Sequence, residues 1–283
     1  MIVLHFIRQQ RVDELKILPL RSDDLFIATF PKSGTTWTRQ IVKLILNNGE
    51  DDDRQLLGDH DIAIPWLAGH SGSQITDIDA IPAPRAFYDH MPYGMMPGGP
   101  PNSTPSKYLY VARNPKDVLV SLYYHCISGK NHLGFSGVWD DLFRAFINGE
   151  TFFGSWFDHV LEWWKHKDDL NVLFMKYEDM NRDPPGAVRT IAEFLDCNIQ
   201  PNMVDKIVEK SSLDRMIHSA SLCTSTSSIR SRYDLDEINP FVRKGIVGDW
   251  KNHFTAEQSA EFDALFEEKM KGTGLQFEFG DCK

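Results

Sequence analysis

The segment LFIATFPKSGTTWTRQIVKLILN, residues 25–47, decides the fold class of this protein. Its first part, Leu25–Phe30, is a continuous apolar run, which indicates a strand buried on both faces, as in a parallel sheet. After Pro31, residues Thr35–Asn47 carry apolar side chains at helical spacing, at Trp37, Ile41, Leu44 and Ile45. The segment therefore predicts a strand, a short loop and a helix.

Strands and helices alternate along the rest of the chain. Short apolar runs predict strands at Arg85–Asp89, Lys107–Ala112 and Asn171–Lys176. Apolar periodicity and capping residues predict helices at 115–128, 155–167, 186–196, 202–210 and 257–271. This alternation predicts the α/β class, with a central parallel sheet flanked by helices.

The composition of the chain limits which kinds of ligand and partner we expect. The 283 residues include 30 Lys and Arg against 40 Asp and Glu, a net charge of −10, so a broad basic surface for nucleic acid is not expected. No apolar stretch approaches the ~18 residues of a membrane helix, and we expect no membrane association. The four cysteines are far apart and form no zinc motif. We therefore expect reduced thiols, no metal site and a cytoplasmic protein.

The loop PKSGTTW has the chemistry of an anion site. Gly34 permits a tight turn, and the free N–H groups of the following helix start point outward. Lys32 adds a cation, and Ser33, Thr35 and Thr36 add hydroxyl groups. The loop is not a Walker A motif, because Lys32 precedes the single glycine, which excludes an ordinary nucleotide kinase. The alternative is a capped helix start with a chance lysine.

Two later segments add cations. In VARNPKDVLVS, residues 111–121, Arg113 follows a strand and Ser121 lies on the next helix, so that both could bind a phosphate. In FVRKGIVGDW, residues 241–250, Arg243 and Lys244 precede Gly245, which allows close backbone approach. A surface arginine and an exposed basic turn are the alternatives when each segment is taken alone.

Together these segments resemble the cytosolic sulfotransferases, which use 3′-phosphoadenosine 5′-phosphosulfate (PAPS). The matching blocks are FPKSGTTW at 30–37, YVARNPKDVLVS at 110–121, MKYEDM at 175–180 and RKGIVGDWKNHFT at 243–255. They occur in the family's order between about residues 20 and 275. The resemblance implies a single sulfotransferase domain, residues 1–283, with a P-loop-like strand–loop–helix for the phosphosulfate.

The resemblance also implies how the donor binds. The loop Lys32–Thr36, including Ser33, Gly34 and Thr35, would hold the 5′-phosphosulfate, with Trp37 stacked on adenine and Tyr177 on the adenine side. Arg113 and Ser121 would bind the 3′-phosphate together with the late loop, whose members are Phe241, Val242, Arg243, Lys244 and Gly245. Ser211 and Leu213 stand where the family usually has threonine and phenylalanine, so an aromatic face for adenine is lost.

The catalytic base implied by the resemblance is His90, in the segment YDHMP after the second strand. Its place at the carboxyl end of a strand is where α/β sheets hold ligands. His90 would remove the acceptor proton, and Lys32 would stabilise the leaving phosphate. Tyr88 replaces a lysine that the family usually has. Tyr88 and Leu213 together leave open an alternative, a PAPS- or nucleotide-binding protein without transferase activity.

Aromatic and methionine side chains near the variable loops suggest an apolar or flat small-molecule acceptor with a hydroxyl or, less favoured, an amine. The candidate acceptor residues are Trp66, Tyr93, Met95, Tyr124, Phe135 and Trp139, for which core packing is the alternative. Acidic residues also allow a cationic alcohol: Asp51–Asp53, Asp59, Asp61, Asp77 and Asp79. In the segment through which the family often dimerises, Lys251 and Thr255 are present here, but Ala256 and Ala260 stand where the family has valine and glutamate. We therefore expect a monomer or weak homodimer.

Overall fold

The computed structural model describes residues 9–50, 64, 66–67, 76–79, 81, 83–129, 133–223 and 242–280. Its centre is a sheet of four parallel strands in the order β2-β1-β3-β4. The strands are β1 Leu25–Thr29, β2 Ala86–Asp89, β3 Lys107–Ala112 and β4 Val172–Lys176. Parallel strands begin and end at the same edges of a sheet, so all four carboxyl ends lie together.

Helices flank this sheet. The α-helices are α1 Gln9–Lys16, α2 Thr35–Leu46, α3 Thr76–Asp79, α4 Pro115–Ser128, α5 Trp139–Ile147, α6 Trp156–Lys165, α7 Tyr177–Arg182, α8 Pro184–Phe194, α9 Pro201–Lys210, α10 Leu213–Cys223 and α11 Ala256–Met270. Short 3-10 helices cover Tyr93–Met95, Pro101–Ser103 and Asp249–Asn252.

Neighbouring residues of β1 enter two different hydrophobic cores, because successive side chains of a strand point to opposite faces. Phe26 packs in one core with Trp163 of α6. Ile27 packs in the other with Ile41 of α2 and Val188 of α8. Both β1 residues are fully buried. The continuous apolar run of β1 therefore reflects a strand covered on both faces.

The predicted α/β class and central parallel sheet are confirmed. The predicted strands and helices are present, and most of their ends shift by one or two residues. No helix is predicted above at five positions where the described structure has one, namely α1, α3, α5, α7 and α10. Helix α7 begins directly where β4 ends, so no turn residues in the sequence mark its start.

Within the described parts of the chain, every helix is too short or too polar to cross a membrane. The same residues contain no group of three His, Cys, Asp or Glu side chains that could hold a metal ion.

Candidate active site

The carboxyl ends of the strands bring the predicted site segments together. Thr29, the last residue of β1, contacts His90 just after β2, with 3.1 Å between Thr29 Oγ1 and His90 Nδ1. Arg113, after β3, donates from Nη1 to the carbonyl oxygen of Lys32 at 3.3 Å. Its guanidinium also lies 4.3 Å from the ring centre of Tyr177, which follows β4. Segments far apart in sequence therefore share one edge of the sheet.

The loop between β1 and α2 has an unusual backbone. Lys32 has φ of 71° and Gly34 has φ of 99°, both in the left-handed region. A Cβ atom at Gly34 would lie 2.7 Å from Tyr177 Cδ2, so any other residue there would collide with that ring. Ser33 is fully buried, and its hydroxyl has no hydrogen-bond partner among the described residues. A buried, unpartnered hydroxyl in a strained loop suits a bound ligand.

Lys32 lies close to other cations. Its side chain is half-buried. Burial, together with the positive charges of Arg113 and Arg243, lowers the pKa of Lys32 to about 7. Arg113 is buried, and its Nε has no hydrogen-bond partner in the described part of the protein. Like charges held together in this way favour the binding of an anion, which would restore full protonation of Lys32.

The late basic loop lies against the same site. Arg113 Nη2 donates to the carbonyl oxygen of Ile246 at 3.2 Å. Arg243 and Lys244 donate to the two carboxylate oxygens of Asp249 at 2.5 and 2.7 Å. Burial would raise the pKa of Asp249, but the hydrogen bonds from Lys244 and Arg243 outweigh it and hold the pKa well below its ordinary value. Arg243 Nε is buried and has no hydrogen-bond partner among the described residues.

An apolar patch lies beside these cations. The Trp37 ring meets that of Tyr177 edge-on, with 5.5 Å between their centres. Trp37 and Leu213 pack against Val242 and Met216. A Cβ atom at Gly245 would lie 3.2 Å from both Cδ atoms of Leu213, so the predicted leucine and glycine are neighbours.

The remaining predicted donor residues differ in their positions. The Ser211 hydroxyl donates to the carbonyl oxygen of Ile207 at 2.8 Å and is buried at the end of α9. Ser121 is half-buried on α4. Phe241 lies outside the described residues.

His90 is held in one tautomer. Its Nδ1 lies 2.9 Å from the carbonyl oxygen of Thr29. Because a carbonyl oxygen can only accept, Nδ1 carries the proton in neutral His90 and Nε2 has the free lone pair. Burial, with smaller contributions from nearby cations that include Lys32 and Arg39, lowers the pKa of His90 to about 4. His90 is therefore neutral at physiological pH and can accept a proton at Nε2.

Aromatic rings surround His90. The rings of Trp66, Tyr88 and Phe153 lie 5.8, 6.0 and 5.5 Å from the imidazole centre. Trp66 was predicted as an acceptor residue. Phe153 was missed, because it stands in a loop before α6 and belongs to no motif. At the position where a lysine was expected, Tyr88 instead carries the Arg39 guanidinium 4.1 Å from its ring centre.

The structure does not bring the other predicted acceptor residues to His90. Tyr93 stacks on His166 and donates its hydroxyl to Asp169 at 3.1 Å. Phe135 is buried in the core. Trp139 donates to Gln258 at 3.0 Å. Tyr93 and Phe135 thus lie in the core and Trp139 packs against it, as the alternative of core packing predicts.

Tyr124 and Met95 lie elsewhere again. Tyr124 lies under the Arg243 guanidinium, with 4.8 Å between the guanidinium and the ring centre, on the side of the late loop. Met95 is on the surface. Of the acidic residues, 51–53, 59 and 61 lie outside the described residues.

A polar network that the sequence analysis missed connects the donor segments. Asp117 accepts hydrogen bonds from the backbone N–H of Gly248 at 2.7 Å and of Trp250 at 2.9 Å. Glu178 accepts from the backbone N–H of Asn114 at 2.7 Å. Burial raises the pKa of Glu178 to about 7. The network fixes the segment of Arg113 relative to the late basic loop.

Comparisons with known proteins identify the family of this chain. The profile of the sulfotransferase domain matches residues 22–274. Rat sulfotransferase 1C2 is 40% identical over 268 residues, which cover 93% of this chain and 88% of that protein. Rabbit amine sulfotransferase is 37% identical, and the match covers 94% of this chain and 87% of that protein. Among solved structures, mouse sulfotransferase SULT7A1 complexed with PAP is 30% identical in sequence and has a TM-score of 0.75. The match covers 94% of this chain and 90% of that chain.

The domain profile covers most of the chain, and two sulfotransferases are more than 35% identical to it over more than nine-tenths of its length. The chain belongs to the sulfotransferase family.

Proposed function

We propose that this sulfotransferase moves the sulfuryl group of PAPS to a hydroxyl group of a small-molecule acceptor. The observation that carries the proposal is the hydrogen bond between His90 Nδ1 and Thr29 at 2.9 Å. It leaves Nε2 as a base directly beside the loop that contains Lys32. A solved relative holds PAP, the desulfated form of this donor, which supports the same class of donor here.

The donor would bind where buried polar atoms have no partner among the described residues, namely Ser33 Oγ, Arg113 Nε and Arg243 Nε. The loop Lys32–Thr36 would hold the phosphosulfate. Arg113, Ser121, Arg243, Lys244 and Gly245 would hold the 3′-phosphate. The adenine would lie against the apolar patch of Trp37, Tyr177, Leu213 and Val242, whose aromatic faces suit a flat base.

His90 would act as the general base. Its Nε2 accepts the proton of the acceptor hydroxyl, which raises the nucleophilicity of that oxygen. The donor supplies an activated sulfuryl group, and its transfer forms the acceptor O–S bond while the S–O bond to the 5′-phosphate breaks. Lys32 stabilises the negative charge that develops on that phosphate oxygen.

The acceptor would lie against the rings of Trp66, Tyr88 and Phe153, all near His90. Rings on several sides of the base favour an apolar or flat acceptor, since such a molecule can stack on them. The proton removed by Nε2 would then come from a hydroxyl at the edge of the acceptor.

We further propose that the protein is cytoplasmic and is a monomer or a weak homodimer. Cys126 and Cys197 are free thiols, as expected in a reducing compartment. Ala256 and Ala260 replace side chains of the family's dimer segment. Gel filtration over a range of concentrations would test the oligomeric state.

The donor is tested by calorimetric titration with PAP and, in parallel, with ATP. We expect micromolar or tighter binding of PAP and weaker binding of ATP, because the basic late loop and Arg113 recognise a 3′-phosphate. Equal affinities would contradict the donor assignment.

The base is tested by the substitution His90→Asn. The asparagine amide can still donate to the Thr29 carbonyl, but it provides no base. We expect turnover of PAPS with an aromatic alcohol to fall by about 10²–10⁴-fold, with unchanged affinity for PAP. Turnover at the wild-type rate would disprove the assignment, whereas PAP binding without turnover in the wild-type protein would favour a nucleotide-binding role.

A further inference from the structure

Tyr110, His159 and the backbone of His90 form a buried chain of hydrogen bonds that the proposed mechanism does not use. The Tyr110 hydroxyl lies 2.8 Å from His159 Nδ1. His159 Nε2 lies 3.0 Å from the carbonyl oxygen of His90. Tyr110 is fully buried on β3, and His159 is 2% exposed on α6. The chain therefore connects the core to the peptide group of the proposed base.

The donors and acceptors in this chain have one consistent direction. The His90 carbonyl oxygen can only accept, so Nε2 of His159 carries the proton and Nδ1 must accept from Tyr110. Burial lowers the pKa of His159 to about 4 and raises that of Tyr110 well above its ordinary value. Both groups are neutral at physiological pH, so this direction is maintained.

His90 is thereby fixed on three sides. Its backbone N–H donates to Asp89 Oδ1 at 2.7 Å, and its ring Nδ1 is bound to Thr29. The bond from His159 to the carbonyl oxygen is the third contact. The Phe30 ring also packs edge-on against His159, with 5.5 Å between their centres. His159 thus touches both the segment of the base and the start of the donor loop.

We propose that His159 is a positioning residue for His90. By fixing the peptide group after β2, it holds Nε2 of His90 at the place where the acceptor hydroxyl must lie. His159 itself touches neither donor nor acceptor. The proposal rests on the proposed function of His90 as the base. Its alternative is a core histidine that only satisfies buried polar groups.

Two substitutions separate the roles of the His159 nitrogens. His159→Asn keeps an acceptor near the place of Nδ1 but is too short to donate to the His90 carbonyl. His159→Gln places an amide N–H near the position of Nε2. We expect kcat to fall about tenfold or more in the asparagine variant, because small displacements of catalytic groups are costly. The KM for PAPS and the Kd for PAP should stay near wild-type values, and the glutamine variant should recover most of kcat.

A double-mutant cycle tests whether His159 acts through His90. In the His90→Asn background, His159→Asn should cause no further loss of the residual rate. A further loss of the same size as in the wild-type background would overturn the proposal. So would a wild-type kcat in the single variant, or equal losses in the asparagine and glutamine variants.

Tyr110→Phe provides a second route if His159→Asn does not fold. The ring keeps its stacking on Trp163, at 4.8 Å between centres, and loses only the hydroxyl. We expect a smaller loss of kcat with unchanged PAP affinity, and an unchanged kcat would count against the proposal. Full turnover by His90→Asn would instead disprove the function of His90 itself, whatever the His159 variants show.

Discussion

The guanidinium carbon of Arg39 lies 4.1 Å from the centre of the Tyr88 ring, so that a cation stacks on an aromatic side chain beside His90. Arg39 is buried on α2 and donates from Nη2 to the carbonyl oxygen of Ile64 at 3.0 Å. Its charge contributes to the lowered pKa of His90. Tyr88 stands where the family usually has a lysine, and the Arg39 guanidinium from α2 places a positive charge next to it.

Replacing Arg39 should change the pH dependence of catalysis. In Arg39→Gln the protonated form of His90 loses a nearby like charge, so the pKa of His90 rises. We expect the acid limb of the kcat/KM profile to move to higher pH, by about one pH unit or less. Arg39→Lys keeps the charge and should leave the limb in place. A limb that stays in place in Arg39→Gln, or that moves equally in both variants, would contradict this effect.

The affinity for PAP should fall as the pH rises above about 7. The pKa of Lys32 is about 7 in the free protein, and a bound anion raises it. Above that pH, binding must therefore take up a proton, and the Kd should rise by up to about tenfold per pH unit. Calorimetry in two buffers of different ionisation enthalpy measures the uptake.

Lys32→Arg is the control for this pH dependence, because arginine stays protonated throughout the range. Its Kd should vary much less with pH than that of the wild type. An identical slope in both proteins would assign the proton uptake to another group.

Gly34→Ala should weaken PAP binding as well as stability. Gly34 and Gly272 both have positive φ, at 99° and 76°, so each alanine variant should lose about 1–2 kcal/mol. Only at Gly34 would the new Cβ collide, at 2.7 Å from Tyr177 Cδ2; no described atom comes near a Cβ at Gly272. Urea denaturation and PAP titration of both variants measure the difference. Equal losses of stability and unchanged PAP affinity would show that the contact with Tyr177 is unimportant.

Arg243→Gln should weaken binding of ligands that carry a 3′-phosphate. The loss of a charged hydrogen bond predicts a Kd for PAP about 10- to 100-fold higher. Adenosine 5′-monophosphate lacks the 3′-phosphate, and its affinity should not change. Arg182→Gln removes a surface arginine paired with Asp179 and Glu278, and it serves as the matched control. Equal weakening of both nucleotides would place Arg243 elsewhere in the site.

The sequence by itself determined the sheet and which segments are predicted to bind the donor. The continuous apolar run Leu25–Phe30 indicated a strand buried on both faces. The positions of the glycine and the lysine within the following loop indicated an anion site. The blocks around Arg113 and Arg243 are similarly local. Because strand and helix periodicity and turn chemistry are local properties, these features could be inferred without a tertiary structure.

Only the tertiary structure decided which distant side chains meet. Phe153 comes near His90, and Tyr93 instead bonds to Asp169. The direction of the His159 hydrogen bonds and the stacking of Arg39 on Tyr88 join residues from separate elements. A side chain's partners depend on how helices pack on the sheet, and spacing along the chain does not encode that packing. The sequence thus determined the class of site, and tertiary packing determined the environment of His90, the proposed base.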